Sequence, residues 1–247
     1  MREESFSLLA ADFLPKSEGK KEIKGKITVE KNEDEKSFIT TLFFSFPFSI
    51  KEENEIKEQI KEELLKRLKE KRKITVVGIG NASITADSLG PSVCEKIIAT
   101  RNMDDNIEKE ISVIKTEVFA KTGIFANEYV EAIVKKIGAD AVIVIDSLAA
   151  KSTKRLYKTL QISNIGILPG SAIKKQGRRI NQKILKIPVI TLGVPTVVDV
   201  KVLAKEIAGK NIRGQKGMVV TPAAGDVCIE KISSVIADAI NEFSFGF

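Results

Sequence analysis

The stretch Ile74–Gly90, ITVVGIGNASITADSLG, constrains this chain more than any other. A short β-branched apolar run leads into Gly78 and Gly80, then a polar loop ending in Asp87, then a helix start. A second run, Ala141–Asp146 (AVIVID), is apolar throughout and also ends in a carboxylate. Strands buried on both faces read as continuous apolar runs of this kind, and they belong to parallel sheets covered by helices. The expectation is two parallel strands of one sheet, each delivering an aspartate at its C-terminal end.

The rest of the chain extends that pattern. Strands are expected near Ile74–Ile79, Ser112–Val118, Ala141–Asp146, Lys158–Ser163 and Pro188–Gly193, with helices near Gly90–Arg101, Ala126–Gly138, Asp199–Ala208 and Ala224–Phe243. Upstream, Lys51–Lys73 carries Ile56, Ile60, Leu64, Leu65 and Leu68 as an apolar helical stripe, with Glu and Lys on the other face. Before it, Lys26–Glu30 and Phe38–Phe48 read as a β-hairpin around the polar turn Lys31–Lys36. Met1–Glu22 mixes apolar clusters with charges and shows no firm period. The reading is one α/β domain over 1–247, with an N-terminal segment and hairpin over 1–50 and an α/β core over 51–247.

Composition narrows the chemistry. The chain has 43% hydrophobic residues, ample for a core, and no apolar run approaches the ~18 residues a membrane span needs. The N-terminus lacks a basic–apolar–small signal pattern, so a soluble, intracellular protein without membrane contact is expected. Histidine is absent. That removes Ser-His-Asp and Cys-His triads and His-ligated zinc, leaving Asp, Glu, Lys, Tyr or Cys for proton transfer. Cys94 and Cys228 stand alone in apolar contexts and read as buried structural residues. The formal charge is +7, and residues 151–186 hold 10 Lys/Arg with no Asp or Glu. So long a single-signed stretch raises a positive potential and draws anionic partners, unless it is simply a solvated face.

Ligands of open α/β sheets bind outside the carboxyl ends of the strands. Three segments reach that edge with polar residues: Gly78–Asp87, Asp146–Ser147 and Gly193–Asp199. Asp87 and Asp146 are the acid–base candidates, because two carboxylates brought close cannot both ionise cheaply and one is kept as an acid. Each could instead cap a helix or turn, as Asp often does, and Asp199 reads better as a cap. Backbone N–H groups of Gly80 and Asn81 are candidates to hold a developing oxyanion. The glycines also invite a nucleotide reading, but G-x-G-x-x-G requires glycine where this chain has Ser83. Leu168–Gly170 and the basic run Ser171–Arg179 read as a loop at the same edge. There Gly170, Ser171, Lys174 and Arg178 could grip an acidic substrate. No metal ligand set and no cofactor is indicated.

In order along the chain, VVGIGN, TADSLGP, KTGI, VIVIDSLAA, QISNIGILPGS, IPVITLGVPTVVD and MVVTP resemble the germination protease family of endospore-forming bacteria, over roughly Lys73–Ile240. The resemblance implies a phosphorylase/hydrolase-like three-layer α/β/α fold with a mostly parallel sheet, as in hydrogenase maturation proteases. It implies an aspartate-dependent endopeptidase acting on small acid-soluble spore proteins in the spore core. The family's two essential aspartates fall on Asp87 and Asp146. It also implies a homotetramer made as a zymogen that trims its own N-terminus, with no cofactor and no direct nucleic-acid contact.

The chain departs from the family pattern in three places. The segment before the hairpin is short, with no convincing self-cleavage site in Met1–Lys26. Only Val200–Gly217 separates the VPTVVD helix from MVVTP, where the family carries an insertion. Asn81-Ala82-Ser83 stands where the family has a tryptophan in the glycine loop. Two rivals follow: a peptidase-fold protein that binds spore proteins without cutting them, and a metal-assisted maturation protease. Binding without cleavage marks the first and sensitivity to a chelator the second.

Overall fold

The computed structural model describes residues 19–103, 107–169, 179–209 and 217–246. In chain order the elements are β1 (Lys20–Lys24), β2 (Ile27–Glu33), β3 (Phe38–Phe43), α1 (Ile50–Leu68), β4 (Lys73–Ile79), α2 (Leu89–Lys96), β5 (Glu110–Thr116), α3 (Phe119–Thr122) and α4 (Ala126–Ile137). They continue with β6 (Ala141–Ala150), β7 (Thr159–Ser163), α5 (Gln182–Leu185), β8 (Val189–Asp199), α6 (Val200–Ala208), β9 (Val219–Val220) and α7 (Gly225–Phe245).

The strands form one mixed sheet in the order β1-β2-β3-β7-β8-β6-β4-β5, with β9 beside the end of β8. Strands β5, β4, β6 and β8 run parallel, and their sequences are the apolar runs that burial on both faces requires. The hairpin β2–β3 joins the same sheet because β3 pairs antiparallel with β7, and β7 with β8. So Lys158–Ser163, expected among the parallel strands, is the antiparallel link to the hairpin. Alternation along the strands divides the core. Ile74, Val76, Ile143 and Ile145 face α1, α2 and α7, whereas Val77, Ile79, Val142 and Val144 face α4. The result is three layers, helices over both faces of a sheet, as expected.

Local signals account for the boundaries. Helix α1 opens with a capping box, Ser49 accepting from the Glu52 backbone and Glu52 reaching back to the Ser49 N–H. It ends at Leu68, five residues short of the expected Lys73, because the chain must turn into β4. Ile56, Ile60, Leu64 and Leu68 are buried along it, each contributing about 1.5–3 kcal/mol. Leu65 lies off the stripe and is exposed. Helix α4 ends on Gly138, whose φ of 66° is the left-handed conformation that closes a helix. Strand β3 stops at Phe43, and Phe44, Phe46 and Phe48 leave the sheet as an edge-to-face cluster with centroids 5.6 and 5.9 Å apart. Cys94 and Cys228 are both buried and free. No described helix is long and apolar enough to cross a membrane.

Candidate active site

Asp146 lies within β6, not at its end. The strand runs four residues further, to Ala150, paired with β8. What stops at this level is β4, whose last pair with β6 is Gly78 with Ile145. The aspartate therefore sits where the sheet opens between two parallel strands, 5% exposed, with its Oδ1 accepting from the Ser147 N–H at 2.8 Å.

The chain leaving β4 closes over that opening. Gly80 adopts φ 131°, and a Cβ there would stand 2.0 Å from the Asp87 carbonyl oxygen and 3.2 Å from its Oδ1. Only glycine allows the loop to fold back so tightly. Gly90, in the first turn of α2, packs on the strand ends, where a Cβ would meet the Ile79 carbonyl at 2.4 Å and the Ile145 carbonyl at 2.7 Å. Between these glycines, Thr85–Asp87 forms a 3-10 turn that presents Asp87 over β6.

Asp87 does not cap α2. Ser88 is the N-cap, and Asp87 Oδ2 instead accepts from the Asn81 N–H at 2.9 Å. Of the two N–H groups expected to be oxyanion donors in the glycine loop, that of Asn81 is therefore already engaged by the carboxylate. The Asn81 side chain, buried, accepts from Ser83 N–H at 2.9 Å and shapes the loop. Asp199 is a cap, accepting from the Lys201 N–H at 2.7 Å. Gly170, Ser171, Lys174 and Arg178 lie outside the described residues. Of the basic stretch that flanks them, Lys151, Lys154, Lys158, Arg179, Lys183 and Lys186 are exposed.

The electrostatics set this pair apart. Burial pushes Asp87 up to about 6, helped by the nearby Glu117 charge and opposed by the Asn81 N–H. Burial pushes Asp146 well above the usual carboxylate range, and the Asp87 charge raises it further. Among the described residues no cation offsets either. A pair of this kind retains one proton at neutral pH, with Asp146 the deeper holder, so it offers a base and an acid side by side. Among the described residues no group of three or more His, Cys, Asp or Glu side chains could hold a metal ion.

Two contributors were not singled out from the sequence. Glu117 follows β5, and its effect on Asp87 depends on β4–β5 pairing that spacing alone does not give. Thr196, fully buried in β8, donates its Oγ1 hydrogen to the Ala86 carbonyl at 2.5 Å. Its signal was its place in Gly193–Asp199, the third segment expected at this edge.

With this geometry in hand, likenesses to known proteins can be placed on it. A family model described as germination protease matches residues 50–213, which include both aspartates. A germination protease from Clostridium perfringens is 36% identical over 222 residues, covering 73% of this chain and 68% of that protein. One from Clostridium tetani is 41% identical over 138 residues, 53% of this chain and 43% of that protein. One from a Geobacillus species is 42% identical over 131 residues, 50% of this chain and 35% of that protein. Among solved structures, a [NiFe] hydrogenase maturation protease, HycI from Thermococcus kodakarensis, is similar at a TM-score of 0.44 and 14% identity, over 72% of this chain and 98% of that one.

Proposed function

We propose, given that this chain belongs to the germination protease family, that it is an endopeptidase whose Asp87 and Asp146 form a catalytic dyad. Its substrates in this reading are small acid-soluble spore proteins, cut when a spore germinates. It would act in the spore core as a homo-oligomer.

One observation carries the reading: a buried carboxylate, Asp146, lies within reach of the charge of a second one, Asp87, with no cation among the described residues to offset the pair. Such an arrangement costs stability, and sites that keep it use it. Asp87, the more exposed and the lower in pKa, is the ionised partner. It takes a proton from water as the oxygen attacks the scissile carbonyl carbon, and Asp146 donates its proton to the carbonyl oxygen. In the second step the tetrahedral intermediate collapses, the proton held by Asp87 passes to the leaving amine, and Asp146 recovers its own from the carbonyl oxygen. Neither step requires histidine, and each carboxylate ends as it began.

The test is cleavage of an α/β-type small acid-soluble spore protein by the wild type, Asp87→Asn and Asp146→Asn, with circular dichroism to establish folding. Cleavage by the wild type and a loss of about 10³-fold or more in kcat for either variant is expected, the scale of removing a general acid or base. Folded variants that cut at the wild-type rate would sink the dyad. A wild type that binds the spore protein without cutting it would favour a binding role.

A further inference from the structure

The turn that carries Asp87 is held from below by a residue that the β6–β8 pairing leaves over. Leu148 pairs with Pro195 and Ala149 with Val197, so Thr196 is the extra residue of a β-bulge. Bulges next to active sites re-aim a side chain out of the regular alternation. Here the Thr196 hydroxyl is turned onto the carbonyl of Ala86, the residue before Asp87.

The bulge itself is fastened on both sides. The Tyr157 N–H donates to the Pro195 carbonyl at 2.9 Å. Thr221 Oγ1 donates to the Thr196 carbonyl at 2.8 Å. A threonine hydroxyl has one hydrogen, so in the 3.1 Å contact between Tyr157 Oη and Thr221 Oγ1 the tyrosine is the donor. Tyr157 is 2% exposed and sits at φ 52°, a left-handed conformation that a non-glycine residue keeps only when its surroundings enforce it. Gly225, at the start of α7, closes the cluster. A Cβ there would lie 3.0 Å from Tyr157 Oη and 3.5 Å from Thr85 Cγ2, in the same 3-10 turn as Asp87.

We infer that Thr196 is a positioning residue for catalysis, setting the Asp87 carboxylate against Asp146, with Thr221 and Tyr157 holding Thr196 in the bulge. The chain of hydrogen bonds ends on backbone carbonyls and not on a carboxylate, so it fixes geometry and carries no proton. The inference rests on the dyad reading above.

The experiment compares Thr196→Val and Thr196→Ser with the wild type on the spore-protein substrate, with Asp87→Asn and Asp146→Asn in the same assay. Valine keeps the shape and removes the hydrogen bond. A kcat lower by about 10²-fold with KM within about twofold is expected, the scale of a misplacement of about 1 Å. Thr196→Ser should recover most of the loss, which a purely structural defect would not predict. Should Thr196→Val not fold, Thr221→Val reads the same support one bond further out, with an expected kcat loss of about 10-fold. Wild-type kcat in the folded threonine variants, beside inactive aspartate variants, overturns the positioning role alone. Wild-type kcat in the aspartate variants overturns the dyad and the positioning role together.

Discussion

Two regions of this molecule bury carboxylates, and they treat them in opposite ways. Under α1, where the helix crosses the hairpin, Glu63 is 1% exposed. Its Oε1 stands 2.9 Å from Lys31 Nζ and accepts from Thr40 at 3.0 Å, while Arg67 approaches the other oxygen at 3.6 Å. Glu52 nearby accepts from the Ser45 hydroxyl, at 2.5 Å, and from the Ser49 backbone, and these bonds lower it to about 2. At the opening between β4 and β6, by contrast, Asp146 meets one backbone N–H and another carboxylate. Burial alone does not mark a functional acid. The absence of compensation is what sets the proposed dyad apart from a clamp that stabilises the fold.

The sharpest way to break this comparison is to neutralise one acid in each region and measure stability. Asp146 and Asp87 hold protons in the folded state at pH values where the unfolded chain, with carboxylates near 4, has released them. Their contribution to stability therefore declines as pH rises above about 4 and through the folded-state values. Asp146→Asn removes that cost, and a higher denaturation midpoint than the wild type at pH 7–8 is expected. Glu63→Gln takes the buried carboxylate away from Lys31 and Arg67, which keep only Glu62 and Glu33 at the edge, and should destabilise by about 1–3 kcal/mol. Denaturant melts of the two variants decide it. Destabilisation by both would mean that Asp146 is a structural acid like Glu63. For Glu52 the sign reverses: its stabilisation is present above the unfolded value near 4.3 and is lost as pH falls toward about 2.

The second measurement reads the site through its rate. In the proposed dyad Asp87 must be ionised to accept a proton, and burial pushes it up to about 6. The acid limb of kcat/KM should therefore fall near pH 6, with about a tenfold loss per unit below it and not two units lower where ordinary carboxylates titrate. A limb at pH 4 would indicate that Asp87 is solvated during turnover and that the contrast with the α1 region is weaker than the structure gives.

Much of the core was legible in the sequence for one reason: its strands are buried on both faces. That condition writes itself as uninterrupted apolar runs, ITVVGI and AVIVID, and places their polar exits at one sheet edge. Asp87 and Asp146 were picked as candidates by that route, and the structure places both at this edge. Pairing partners were not legible, because register is a tertiary property. Lys158–Ser163 looks like any other strand, yet runs antiparallel as the link to the hairpin. The buried Glu63 reads as one more charge on an exposed helix face until β2 is laid beneath it. Thr196 lies in Gly193–Asp199, a segment legible as reaching this edge, but the bulge that turns its hydroxyl onto Ala86 joins two strands distant in sequence. The Asn81 N–H, a plausible donor to a substrate, is taken by Asp87 through a loop closure that only the glycine geometry decides.

The smallest effect tests how far the uncompensated field at the site extends. Glu117 follows β5, exposed, with Lys121 Nζ 3.2 Å from its carboxylate. Its charge nevertheless raises Asp87, so Glu117→Gln should move the acid limb of kcat/KM toward lower pH. Solvent and Lys121 screen it, which limits the shift to about 0.3 unit at low ionic strength and to less at 0.5 M salt, where the Debye length is only about 4 Å. The same substitution should leave kcat at the pH optimum unchanged, because Glu117 touches neither the attacking water nor the scissile bond in the proposed mechanism. A shift in the opposite direction would mean that Glu117 acts on Asp87 through Lys121, whose freed ammonium then turns elsewhere, and not through its own charge. A shift that persists undiminished at high salt would place Glu117 inside the desolvated part of the site, enlarging the uncompensated region from two carboxylates to three.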